Sequence, residues 1–140
     1  MATIIKSIDI DAPAADVWDA VADVQAVHRR FAPGFVVDVQ PRPAGRWVVF
    51  ADGTEVLELI VGLDPAARRL AYSVRTDRFD HHNASFQVTD AGPGRSRLTW
   101  TVDVLPDAAA EFLKPRLDAG LAAAKDVLGR VPALSPQASS

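Results

Sequence analysis

The chain has 140 residues, about half of them hydrophobic and a quarter charged, with a formal net charge of −3 and no cysteine. That length suits one domain with a real core, and the missing cysteine excludes disulfides, thiolate nucleophiles and cysteine-ligated metals. The mild acidity offers no electrostatic footprint for nucleic acid, and no apolar run approaches the ~20 residues of a membrane-spanning helix.

The N-terminal MATIIKSIDID alternates instead of forming a signal-peptide core, so the cytoplasm is the default location. Thr3 to Ile10 reads as a strand, with Ile4, Ile8 and Ile10 in one phase and Lys6 as the exception. Asp11-Ala12-Pro13 then starts a helix carrying Val17, Trp18 and Val21, and Asp16 suits its positive end. Val24, Val27 and Phe31 predict a second short helix from Asp23 to about Arg30, ended by Pro33-Gly34. From Phe35 to Pro106 six strand-like runs follow: FVVDVQ, RWVVFA, TEVLELIVGL, RRLAYSVRT, HHNASFQVT and SRLTWTVDVL. Asp52-Gly53 is the strongest hairpin signal among their turns, and such short connections imply an antiparallel meander.

Leu113, Leu117, Leu121, Ala124 and Leu128 form the apolar stripe of a long helix from Asp107 to about Arg130. Such a helix runs roughly 36 Å, long enough to cross a whole sheet. Pro115 and Gly120 interrupt it. The expected domain covers residues 1–131, and the small, polar, proline-containing 132–140 is expected to be a flexible tail. The expected fold class is therefore α+β: a seven-stranded curved antiparallel sheet wrapped around a long C-terminal helix. One stripe cannot cover that much sheet tightly, and the gap left by the sheet's twist is where a ligand cavity forms.

This order of elements resembles the helix-grip fold of the START-like superfamily, also called SRPBCC. The likeness rests on I-D-I-D-A-P-A-A-D-V-W-D, E-V-L-E-L-I-V-G-L-D-P-A-A-R-R-L-A-Y-S-V, H-H-N-A-S-F-Q-V and R-S-R-L-T-W-T-V-D-V-L-P, across roughly residues 3–130. The chain is most similar to the small bacterial members grouped with polyketide cyclases and dehydrases. The resemblance specifies a fold better than a chemistry, because the superfamily holds cyclases, hydrolases, lipid carriers, receptors and co-chaperone-like modules.

Strand alternation sorts the candidate site residues. Ala84, Phe86 and Val88 share the apolar phase of their strand, which brings His82 inside and sends His81 and Asn83 out. Two adjacent strand histidines point apart, so no metal site is expected, and no cofactor is expected either. The same phasing puts Leu70, Tyr72 and Val74 inside, with Leu98, Trp100, Val102 and Val104. For Glu58, counting favours Leu57, Leu59, Val61 and Leu63 as the core phase, whereas the resemblance implies an acidic residue facing the cavity. Inside, its carboxylate needs an arginine or tyrosine partner. Either Arg46 or Trp47 reaches inward; alternation does not decide which. His28 either helps close the cavity, as the resemblance implies for this region, or sits on the surface at a negative helix end. Phe86, Trp100 and Gly120 set the cavity's volume, and Asp77 and Asp80 read as turn residues.

Three functions fit this sequence. In the first, an enzyme cyclises or dehydrates a polyketide-like substrate, with His82 as general acid/base, Tyr72 as donor to an enolate oxygen and Glu58 orienting His82. In the second, the same cavity holds a lipid, aromatic metabolite or other hydrophobic small molecule without changing it, and Phe86, Trp100, Val74, His28 and Gly120 are the expected contacts. The third is an interaction module whose outer sheet face binds a partner, a second copy in a homodimer included.

Overall fold

The computed structural model describes residues 1–129. The expected end of the domain, the last expected helical residue and the tail at 132–140 lie outside the described residues. Seven strands form one antiparallel sheet in the order β1-β7-β6-β5-β4-β3-β2. They are β1 (Ala2–Ile10), β2 (Val36–Arg42), β3 (Gly45–Phe50), β4 (Glu55–Asp64), β5 (Arg69–Arg75), β6 (His81–Asp90) and β7 (Ser96–Leu105). Helix α1 (Ala14–Ala22) connects β1 toward β2, and helix α2 (Ala109–Leu128) follows the meander and crosses the concave face. This is the helix-grip architecture.

Each element follows from its own residues. Helix α1 buries Ala14, Val17, Ala20 and Val21. On α2, Leu113, Leu117, Leu121, Ala124 and Leu128 are all buried, so the stripe is the face pressed on the sheet. The helix continues through Pro115, which leaves the Glu111 carbonyl without its helical donor. Lys6 stays in the inward phase of β1 because its ammonium snorkels to Asp118 of α2, 3.3 Å away.

The expected second helix is much shorter. Helix α1 stops at Ala22, turns follow, and only Val27–Phe31 closes, as a single π turn. Groups from β3 bond to this segment, one of them at a carbonyl that a helix would have satisfied internally. Arg46 donates to the Val24 carbonyl at 3.0 Å, and Gln25 donates to the Gly45 carbonyl at 3.1 Å.

Strand β4 shows why counting leucines misleads. A bulge between Ile60 and Gly62 breaks the alternation, so Leu63 returns to face Leu70 while Val61 is pushed out. The four apolar residues are thus not one phase. Val56 and Glu58 are buried on the concave side, and Leu57 and Leu59 sit half-exposed on the convex side. Between Arg46 and Trp47, the arginine turns inward at 3% exposure; the indole of Trp47 donates to Glu55 outside.

Candidate functional site

Between the concave face and α2 lies a chamber. Val21, Val27 and Phe31 close it from the α1 side, Val48, Val56, Leu70 and Val74 form the sheet wall, and Leu113 and Leu117 form the roof. It offers about 100 Å³ to the centres of water molecules. Extending that space by the ~1.4 Å radius of a water in every direction gives at least roughly 300 Å³ for a ligand's own volume, within the range of ligand pockets. Twist creates this space: α2 packs against β1 and β7, and the rest of the sheet curls away from it.

Two polar pairs interrupt the apolar wall. The first joins neighbouring strands, because the β3–β4 register sets Arg46 directly opposite Glu58. Arg46 donates from both Nε and Nη2 to Glu58 Oε1 at 2.9 Å. The side chains are only 4% and 8% exposed, so this is a buried ion pair that each partner makes tolerable for the other. Glu58 Oε2 makes no hydrogen bond to a described residue. The second pair crosses β6: the Trp100 indole N–H donates to the Tyr72 hydroxyl at 3.1 Å. That bond uses a phenol lone pair, and the phenol's own proton has no acceptor among the described residues. Burial, reinforced by the nearby Glu58 carboxylate, pushes the Tyr72 pKa upward, so the hydroxyl stays protonated. The Arg46 guanidinium lies 5.6 Å from the Tyr72 ring centroid, linking the two pairs.

Aromatic rings hold this floor in place. Phe86 stacks on Trp100 at 4.7 Å and on Tyr72 at 6.1 Å, and the edge of Phe31 meets Phe86 at 5.0 Å. Above Trp100 the roof must come very close. A Cβ on Gly120 would lie 2.9 Å from Trp100 and 3.1 Å from Phe35, so glycine is what lets α2 rest on these rings.

His82 lines the chamber near its open end, edge-on to Phe79 at 5.3 Å. Its Nδ1 is buried without a hydrogen-bond partner. Desolvation, with a smaller push from His81, lowers its pKa to about 4, so the ring is neutral at pH 7. His81 turns outward and contacts Asn83 instead. Glu58 and His82 lie two strands apart with β5 between them, roughly 10 Å at the backbone. Glu58 is held by Arg46, and no hydrogen bond joins it to His82. The expected orientation of His82 by Glu58 therefore does not occur.

At the mouth stand Arg78, Phe79, Phe112, Arg116 and Thr54. Arg116 pairs with Asp52 and donates to the Thr54 hydroxyl at 3.2 Å, tying α2 to the β3–β4 turn.

Of the residues expected from sequence, His82, Tyr72, Glu58, Phe86, Trp100, Val74 and Gly120 all line the chamber. His28 does not. Val27 and Phe31 take the inward face of the π turn, and His28 lies half-buried off that face with Nδ1 unpartnered. Arg46, which alternation does not decide, lines the chamber too, as do Arg78, Phe112 and Arg116, which no local pattern marks. A two-residue turn at Asp52-Gly53 would set Arg46 opposite Leu59; the loop instead spans 51–53, and that one-residue difference brings Arg46 opposite Glu58. Among the described residues, no three His, Asp or Glu side chains are grouped to hold a metal ion. No described helix is long and apolar enough to cross a membrane.

Residues 1–129 match the family described as polyketide cyclase / dehydrase and lipid transport. No curated protein matches the chain. A Thermobifida fusca protein solved by NMR in solution is 31% identical, with 96% of each chain covered and a TM-score of 0.76. The di-domain ARO/CYC BexL from the BE-7585A biosynthetic pathway is 21% identical, with a TM-score of 0.79 over 94% of this chain and 47% of that one. Norcoclaurine synthase from Thalictrum flavum is 18% identical, with a TM-score of 0.69 over 93% of this chain and 85% of that one. Strand order, helix grip and family match agree: the chain belongs to the polyketide cyclase/dehydrase and lipid transport family.

Proposed function

We propose that the chamber binds a small aromatic, polyketide-like molecule and receives one of its oxygens on Tyr72. The observation that carries this reading is the direction of the Trp100–Tyr72 bond, which leaves a permanently protonated hydroxyl facing an apolar, ring-lined space. The ring-lined floor of Phe86, Trp100 and Tyr72 favours a flat ring system over a long lipid chain. A ketone or phenol oxygen fits the Tyr72 donor, and the apolar wall supplies most of the affinity.

The test is an isosteric pair, 2-acetylnaphthalene and 2-ethylnaphthalene, titrated by calorimetry. The ketone should bind roughly two- to tenfold more tightly, the worth of one hydrogen bond, and Tyr72→Phe should erase the difference. Equal affinities for the two would remove Tyr72 from recognition.

One observation favours a second reading, proton transfer within the same chamber. A neutral His82 has a lone pair available to remove a proton beside a ketone, and Tyr72 is a donor for the resulting enolate oxygen. A base with a pKa near 4 is weak, however, and catalysis is best served by one near the working pH. Binding is therefore the primary reading and His82 a hydrogen-bonding wall residue. Incubating the protein with a poly-β-ketone mimic separates the two: new product formed by the wild type and lost in His82→Gln would establish the catalytic reading.

A further inference from the structure

We propose that the chamber's mouth is an anion subsite, so that the preferred ligand is an acid: a ring system inside and a carboxylate at Arg78 and Arg116. This rests on the binding reading above and sharpens it to a chemical class. The charged residues lining the chamber are Arg46, Glu58, Arg78 and Arg116, three cations against one carboxylate in a chain whose net charge is −3. Arg46 and Glu58 neutralise each other at the floor, and His82 is uncharged at neutral pH. Asp52, just outside the lining, pairs with Arg116, so the cation left without a counter-charge is Arg78.

The two mouth arginines differ usefully. Arg116 is positioned in advance: Asp52 and Thr54 hold it, and its guanidinium lies 4.8 Å from the ring centroid of Phe112. Phe112 is itself 50% exposed, an apolar rim beside a fixed charge. The Arg78 side chain makes no ion pair or hydrogen bond with any described residue; only its backbone N–H is engaged, by Thr76. A guanidinium left unpaired at the edge of an apolar chamber fits a carboxylate entering behind a hydrophobic body. The exposed site makes each contact modest.

The discriminating experiment compares 2-naphthylacetate with 2-naphthylacetamide, nearly equal in shape and differing in charge, by calorimetry at neutral pH in low and high salt. The acid should bind roughly three- to tenfold more tightly at low salt, and high salt should shrink the advantage. Arg78→Gln should remove most of it by weakening the acid alone. If acid and amide bind alike to the wild type, the anion subsite is wrong while the chamber reading stands. If Arg78→Gln weakens both equally, the residue supports the fold and the subsite is again wrong. If neither compound binds, both readings fall together.

Discussion

Trp100 donates its indole N–H to the Tyr72 hydroxyl across 3.1 Å, so each ring satisfies a group that the other would strand. Tyr72→Phe removes the acceptor and leaves the part-buried indole N–H unpaired, at a cost of about 1–3 kcal/mol. Trp100→Phe also breaks the bond and loses ring area against Phe86. The double variant should cost less than the sum of the singles, because no orphaned donor then remains. Urea unfolding of the wild type and the three variants checks this as a double-mutant cycle.

The Arg46–Glu58 pair makes a sharper case. Glu58→Gln leaves a guanidinium in the interior without its counter-charge and should destabilise by about 3–5 kcal/mol. Replacing both partners by Met and Leu should be far milder, since the cost of burying charge disappears with the charge. Chemical denaturation of the single and double variants measures the difference.

His82 gives the protein a pH dependence of known sign. The folded-state pKa of about 4 lies below the ordinary value of 6.5. Between these values the unfolded chain binds a proton that the folded one does not. Stability is therefore fully present above about pH 6.5 and falls as the pH drops toward 4, by up to ~1.4 kcal/mol per pH unit. His82→Gln should flatten that part of the curve, as thermal or urea unfolding across the pH range would report. An NMR titration of the His82 ring placing its pKa at or above 6.5 would contradict the account of its burial.

Gly120 tests the close approach of roof and floor. Alanine there places a methyl group 2.9 Å from Trp100, so the indole or the helix must shift. The expected cost is about 1–3 kcal/mol, together with weaker binding of ring ligands because the displaced indole enters their space. Calorimetry and unfolding of Gly120→Ala read both effects.

Much of this was legible in the sequence because alternation and periodicity are local. His82 and His81 part because neighbours in a strand must, and the leucine stripe of α2 faces the sheet because its spacing is helical. Features that depend on tertiary contact were hidden. The bulge after Ile60 broke a phase that counting treats as continuous, and in the segment expected as a second helix at 23–30 the Val24 carbonyl accepts from Arg46 instead. His28 followed the π turn away from the chamber. Arg116 lies next to the buried stripe of α2, and its role at the mouth comes from the β3–β4 turn folding back toward it, which no local pattern encodes.

The most direct measurement is intermolecular NOE spectroscopy on the protein with 2-acetylnaphthalene bound. Contacts are expected from the ligand's rings to the methyl groups of Val74 and Leu117, with its carbonyl side toward the Tyr72 ring. Contacts to Val61 and Leu59 on the convex face instead, or none to the chamber at all, would contradict it.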